Sequence, residues 1–293
     1  MRPGVYPASV TPFDAKGDVD LVAVARLIAW FRAGGCQGIV LAGTNGEGPS
    51  LSATEKRDLV KASVGLADGL DVVLGVSTPS LDEAIWLCKQ SYSAGAKAVL
   101  LMAPGYFRDV TSEGIAKWFE AVLDKSPIEV LVYNFPQRTG ITLSAETMHR
   151  LSKHERVAGL KDSSGNPDNI GSYSQALQGS GKALFVGDET LLVSALHVGW
   201  SGTISGAANL LPGWLAQIVA EWGDDRESAE TKFALIEPVL KSIRTCPQPA
   251  SNKRILFELG ILPSPDVRLP LEPPHLERVQ DTLALVRSLT QAR

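Results

Sequence analysis

Lys161 ends the run Val-Ala-Gly-Leu (157–160) and is followed by Asp-Ser-Ser-Gly (162–165). An ammonium at the point where an apolar run leaves the core pays desolvation unless a partner neutralises it or a reaction uses it. Other apolar runs also end in reactive groups. Thr44 and Asn45 follow one in AGTNGEG, Tyr106 follows another in APGYF, and Tyr133 closes a third, with Arg138 shortly after it in VYNFPQRTG. Gly187, Asp188 and Glu189 end one more run, and Ser205 follows Ile204 in the last. Lys97 and Lys182 precede their runs instead of ending them. A lysine, tyrosines, a threonine and an arginine brought to one place suit carbonyl capture. A lysine amine freed of its proton by apolar surroundings adds to a ketone and forms a Schiff base. The iminium draws electrons from the neighbouring carbon and lets it lose a proton. A tyrosine in reach can carry protons to and from the carbinolamine and a new hydroxyl. Arginine can hold a carboxylate by paired hydrogen bonds, and the N–H groups of a Gly-rich turn suit another.

These residues meet only if the ends of their runs share one face. The runs are 4–13, 38–43, 71–76, 98–103, 129–134, 157–161, 183–187 and 202–206. Amphipathic stretches separate the early ones, at 20–33, 54–67, 81–94, 112–124 and 144–152. Val24, Leu27, Ile28 and Phe31 line one side of the first, and Ser52 with Glu55 makes a capping box ahead of the second. Runs without period-two alternation are buried on both faces, and helices between them imply a parallel sheet. Eight such units predict an α/β fold closed as a (β/α)8 TIM barrel, whose chemistry lies at the C-terminal ends of its strands. After residue 210 the pattern changes to helices with no strand between them, over 214–222, 227–243 and 250–260. A Pro-rich connection leads to a last helix near 275–290. The expected organisation is a barrel carrying the Schiff-base site over 1–223 and a C-terminal helical extension over 224–293.

Composition removes several classes. The chain has 293 residues, 44% hydrophobic and 20% charged, with a net charge of -4 that leaves no basic footprint for nucleic acid. The opening MRPGVYPASVTPF lacks the apolar core of a secretory signal, and no run reaches the roughly 18 residues of a membrane span. Cys36, Cys88 and Cys246 are an odd, widely spaced set, which reads as reduced thiols in a cytoplasmic protein. The four histidines show no metal-ligand spacing, and Asp188 with Glu189 has no histidine beside it, so no metal is expected. GSGKA at 179–183 lacks the first glycine and the closing hydroxyl of a phosphate loop.

Taken together, SVTPF (9–13), GIVLAGTNGEGPSLSATE (38–55), YNFPQRTG (133–140) and GLKDSSG (159–165) resemble the dihydrodipicolinate synthase/N-acetylneuraminate lyase family of class I pyruvate aldolases. The resemblance covers nearly the whole chain, and the spacing from Tyr133 to Lys161 agrees with the family signature. It implies a barrel with a C-terminal helical extension, assembled as a homotetramer of two tight dimers or as a homodimer. It implies pyruvate as the oxo-acid substrate and no cofactor beyond the covalent lysine Schiff base. By position, Lys161 would be the Schiff-base lysine and Tyr133 the proton shuttle. Thr44 would hydrogen-bond Tyr133 in a relay, and Tyr106 would reach into a neighbouring subunit's site. The implied substrate-binding positions are Thr44, Asn45, Arg138, Gly187 and Ile204.

Asn45 departs from the threonine that the synthases and lyases carry there, and resembles the 4-hydroxy-2-oxoglutarate aldolase branch. Arg138 matches the synthase arginine that binds the carboxylate of aspartate semialdehyde. The leading expectation is therefore a synthase condensing pyruvate with aspartate semialdehyde. A 4-hydroxy-2-oxoglutarate aldolase or a 2-keto-3-deoxy sugar-acid aldolase is the alternative. A catalytically silent oxo-acid-binding barrel is the alternative from another class. Some synthases of the family are inhibited by lysine, in a pocket whose matching positions here are Lys56, Pro79 and Gly105. These would offer a like charge and no acceptor, which implies an enzyme indifferent to lysine.

Overall fold

The computed structural model describes residues 1–291. Eight parallel strands run β1 (Gly4–Pro7), β2 (Gly38–Leu41), β3 (Asp71–Val76), β4 (Ala98–Met102), β5 (Glu129–Asn134), β6 (Val157–Asp162), β7 (Ala183–Val186) and β8 (Gly202–Ser205). They hydrogen-bond in the order β1-β8-β7-β6-β5-β4-β3-β2. A parallel bridge from Ala8 to Val40 joins the two ends, so the sheet closes as a TIM barrel. The first strand is shorter than its apolar run, because Pro7 closes it and Pro12 lacks the N–H that a longer ladder would need.

Around the barrel pack α1 (Leu21–Ala33), α2 (Ala53–Leu66), α3 (Leu81–Ala94) and α4 (Ser112–Leu123). The short α5 (Pro136–Thr139) follows β5, and α6 (Ala145–Ser152), α7 (Asp168–Ala176) and α8 (Leu192–His197) complete the barrel's helices. Local chemistry starts these helices. Asp20 accepts from the N–H groups of Val22 and Ala23 at the head of α1, and Ser52 and Glu55 form the expected capping box on α2. Beyond β8 come α9 (Pro212–Glu221), α10 (Arg226–Thr245), α11 (Ala250–Glu258) and α12 (Gln280–Gln291). None of the described helices is long and apolar enough to cross a membrane.

Side chains sort into two apolar layers. Val5, Ile39, Leu74, Val99, Leu101, Val130, Val132 and Leu160 pack outward against the helices. Tyr6, Val40, Val73, Leu100, Leu131, Tyr133, Phe185 and Ile204 fill the barrel. Tyr6 meets Phe185 edge-on, with ring centroids 5.4 Å apart. Cys36, Cys88 and Cys246 are free and buried, and burial pushes the Cys36 and Cys88 thiols up, to about 12 and about 11.

The alternation breaks once, at a place that decides where Lys161 points. Val130 pairs with Val157, but Leu131 pairs with Gly159, so β6 carries one extra residue at Ala158. Ala158 belongs to the interior layer, Leu160 to the outer one, and Lys161 to the inside again. Without the bulge, Lys161 would share the outward phase of Val157, among the helices. Gly159 permits the shift: its φ is +156°, and a Cβ there would lie 1.9 Å from the Ala183 carbonyl oxygen. Gly159→Ala is expected to cost roughly 2–4 kcal/mol of stability, measured by urea unfolding. Wild-type stability in that variant would show that the bulge tolerates a side chain.

Candidate active site

Period-two geometry on two neighbouring strands brings the central pair together. Tyr133 on β5 is in register with Lys161 on β6, so both project into the barrel. Lys161 Nζ stands 4.4 Å from the centroid of the Tyr133 ring. Lys161 is 5% exposed and makes no ion pair among the described residues. Its sequence neighbour Asp162 lies on the opposite face of the strand. There its carboxylate accepts from Asn134 Nδ2 at 2.7 Å, Ser164 Oγ at 2.7 Å and Asn169 Nδ2 at 3.3 Å.

Lys161 faces a cavity of about 490 Å³ at the C-terminal mouth of the barrel, lined also by Thr44, Asn45, Tyr133, Arg138 and Gly187. Gly187 leaves room for the lysine: a Cβ there would lie 1.9 Å from Ser163 Oγ and 3.0 Å from Lys161 Cε. Arg138 is exposed on α5, with its guanidinium carbon 5.9 Å from the centre of the Phe135 ring. Asn45 Oδ1 accepts from Asn252 Nδ2 at 3.3 Å, so a helix of the extension supports the turn after β2.

Three sequence expectations meet a different geometry. Thr44 and Tyr133 share the walls of this cavity and of an adjoining one of about 230 Å³, but no hydrogen bond joins their hydroxyls among the described residues. Ser163 Oγ instead lies 3.5 Å from the Tyr133 hydroxyl, a long contact. Ile204 sits in the apolar layer beneath the cavity, fully buried and opposite Tyr6. Tyr106 is not brought to Lys161: it is 78% exposed and packs edge-on against Phe107 at 5.1 Å. The β4–α4 loop carries it out to the surface. Asp188 and Glu189 each make contacts within the fold through one carboxylate oxygen. Asp188 caps Thr190 and ion-pairs with Arg244, while Glu189 accepts from Ser205 Oγ at 2.5 Å and from the Ala207 N–H at 2.9 Å.

Sequence reasoning missed Ser163, Arg244 and Gln248, which also line the cavity. The adjoining cavity is bordered by Pro79 and Gly105. Beside it Lys56 is buried, with Nζ 4.0 Å from Glu83 Oε1, while Glu83 Oε2 accepts from Thr78 Oγ1 at 2.9 Å. That carboxylate is therefore already engaged.

A buried amine facing a cavity, a tyrosine against it and an arginine on the rim can capture a small oxo acid and shuttle its protons. Comparison with known proteins agrees. The Dihydrodipicolinate synthetase family model matches residues 1–289. The 4-hydroxy-tetrahydrodipicolinate synthase 2 of Halalkalibacterium halodurans is 33% identical over 291 residues, covering 97% of each chain. The 4-hydroxy-tetrahydrodipicolinate synthase of Hyphomonas neptunium is 35% identical over 279 residues, covering 94% of each. The solved structure of the chloride-inhibited dihydrodipicolinate synthase from Acinetobacter baumannii, complexed with pyruvate, superposes with a TM-score of 0.93. It is 28% identical, with 99% of each chain covered.

The contact between Tyr133 and Lys161 sets an expectation. Tyr133→Phe should keep some capture of a keto acid by the amine but lower kcat by roughly 10²–10³-fold, the scale of a lost proton shuttle. Thr44→Val should do smaller damage of the same kind. Wild-type kcat in both variants, measured at saturating substrate, would remove these hydroxyls from the proton path.

Proposed function

Because the chain belongs to the dihydrodipicolinate synthetase family, we propose that it is a class I pyruvate aldolase of the 4-hydroxy-tetrahydrodipicolinate synthase type, joining pyruvate to aspartate semialdehyde. The observation that carries this reading is Lys161, buried at the end of β6 and facing the mouth cavity beside Tyr133.

In this reading the Lys161 amine adds to the C2 carbonyl of pyruvate. Tyr133 passes a proton to the departing oxygen, which leaves as water, and an iminium remains. C3 then loses a proton and the C3–H electrons form an enamine. The enamine carbon attacks the aldehyde carbon of the acceptor, and the aldehyde oxygen takes up a proton to become a hydroxyl. The amino group of the acceptor next adds to the iminium carbon and displaces the Lys161 amine, which closes the ring and frees the enzyme. The lysine Schiff base is the electron sink, so the sequence of steps calls on no cofactor. N–H groups of the turn after β2 would hold the pyruvate carboxylate, and Thr44 and Asn45 border that side of the cavity. Arg138 would hold the carboxylate of the aldehyde, and Gly187 leaves the space in which the adduct forms. Tyr106 would complete the proton path in the site of a second copy, within a homotetramer or homodimer. The place of the reaction would be the cytoplasm, as a step of lysine biosynthesis.

Borohydride trapping with pyruvate, followed by intact mass, tests the carrying observation. Wild-type protein should gain one reduced pyruvate adduct, and Lys161→Ala should gain none while keeping its circular dichroism. A variant that still traps pyruvate stoichiometrically would sink the assignment. Turnover of pyruvate with aspartate semialdehyde, run beside cleavage of 4-hydroxy-2-oxoglutarate and 2-keto-3-deoxygluconate, identifies the acceptor from the ratio of kcat/KM. Arg138→Ala should lower kcat/KM for aspartate semialdehyde by about 2–4 kcal/mol, the worth of paired charged hydrogen bonds. The rate of pyruvate trapping should fall far less. Equal losses would assign Arg138 to the donor or to the fold.

A further inference from the structure

The turn after β2 is held in a conformation that its own residues disfavour. Ala42 and Glu47, at its two ends, have φ of +50° and +52°, in the left-handed region that residues other than glycine rarely adopt. Between them the backbone is crowded: a Cβ at Gly46 would lie 2.8 Å from the Ser9 carbonyl oxygen. The Glu47 N–H donates to the Thr44 carbonyl at 3.3 Å, and the Gly48 N–H to the Gly43 carbonyl at 3.0 Å. Glu47 therefore moves together with Thr44 and Asn45, which border the cavity of Lys161. A backbone of this kind persists only where its surroundings over-determine it.

Here the surroundings are the C-terminal extension. Lys253 on α11 is fully buried; its Nζ pairs with Glu47 Oε1 at 2.5 Å and donates to the Asp266 carbonyl at 2.7 Å. The Arg268 N–H donates to Glu47 Oε2 at 2.9 Å, so the extension grips both oxygens of this carboxylate. Both cations lie over the Phe13 ring, 4.0 and 4.5 Å from its centroid. Beside Lys253, Asn252 Nδ2 reaches Asn45 Oδ1 at 3.3 Å and the Gly206 carbonyl at 3.0 Å. Apolar side chains of similar volume hold a fold at least as well as a buried ion pair does. What the pair adds is direction: it fixes where Glu47, and with it the turn, must sit.

We propose that Lys253 is a positioning residue for substrate capture, holding the turn at 42–48 in the one conformation in which its N–H groups receive the pyruvate carboxylate. The inference rests on the pyruvate aldolase reading and deepens it. Lys253 does not line the cavity itself and acts through Glu47.

The test is borohydride trapping over a range of pyruvate concentrations. Lys253→Met should raise the half-saturating concentration by roughly 10- to 100-fold, the scale of a displaced binding group. Saturating pyruvate should still trap one adduct per chain. Glu47→Gln combined with Lys253→Met removes both charges, so its melting temperature should return toward that of the wild type. Its half-saturating concentration should stay raised, because nothing directs the turn. If stability and half-saturation recover together, or if Lys253→Met traps a smaller fraction of chains at unchanged half-saturation, the pair is only a staple and the inference is overturned. Where Lys253→Met does not fold, the double variant decides alone: a wild-type half-saturation in it overturns the inference. Amide hydrogens of 42–48 should also exchange faster in either variant than in the wild type, and equal exchange overturns the inference too. That last readout stands even if the wild type traps no pyruvate, a result that would remove only the aldolase reading.

Discussion

The register between β5 and β6 decides whether Lys161 and Tyr133 face the cavity at the mouth of the barrel. Tyr133 and Lys161 are directly opposite each other, and both point inward. A strand has a side-chain period of two, so a slip of one residue would send the lysine out among the helices. The extra residue at Ala158 sets the phase, and Gly159 makes it possible by adopting a backbone conformation that a side chain would block. Packing below then holds the pair in place. Phe185 lies beside Lys161 on β7 and meets Tyr6 edge-on, while Ile204 fills the same layer. The floor of the cavity is thus apolar, and Thr44, Asn45, Arg138 and Arg244 are among the polar side chains around it.

The extension contributes more than cover. Lys253 on α11 is fully buried and pairs with Glu47 in the turn after β2, at 2.5 Å. Burial holds the Lys253 ammonium down, to about 8, against the pull of Glu47. The Arg268 N–H donates to the other oxygen of Glu47, at 2.9 Å, and Asn252 reaches Asn45. Removing one partner of such a pair leaves an uncompensated buried charge, which makes the turn and α11 depend on each other. That turn carries Thr44, so residues remote in sequence hold a wall of the cavity. Arg244 and Gln248, at and just beyond the end of α10, line the same cavity, and Gln248 Oε1 is buried with no hydrogen-bond partner among the described residues.

Much of the scaffold was legible because burial on both faces leaves a plain signature. The runs at 71–76 and 129–134 coincide with β3 and β5, and the stretch 81–94 with α3. Lys161 and Tyr133 were legible as chemically odd endings of apolar runs. The bulge was not, since VAGLK reads as an unbroken strand whichever way its side chains point. The nine-residue α7, which buries only Ile170 and Tyr173, and the six-residue α8 are too short for the pattern to set their bounds. Arg244 and Gln248 were missed because nothing local marks a helical arginine as facing a cavity built by the other end of the chain. A hydrogen bond from Thr44 to Tyr133 was expected from the resemblance, but a pairing of types in sequence does not set a distance between hydroxyls.

The chain places a carboxylate next to Lys161 without letting the two neutralise each other. Consecutive residues of a strand face opposite sides, so Lys161 enters the barrel and Asp162 leaves it. Asp162 is 4% exposed, and a buried carboxylate left bare would draw on any cation in reach. Asn134 is its neighbour across the β5–β6 pair and faces the same outer side, where it donates to Asp162. Ser164 and Asn169 supply further donors from the turn and α7. Asn134 is itself held, accepting from the Leu143 N–H at 3.1 Å. The polar residues after Lys161 therefore do two things at once. They turn the chain into α7, and they satisfy Asp162 on the far side of the sheet, so that Lys161 is left to face the cavity and Tyr133 alone.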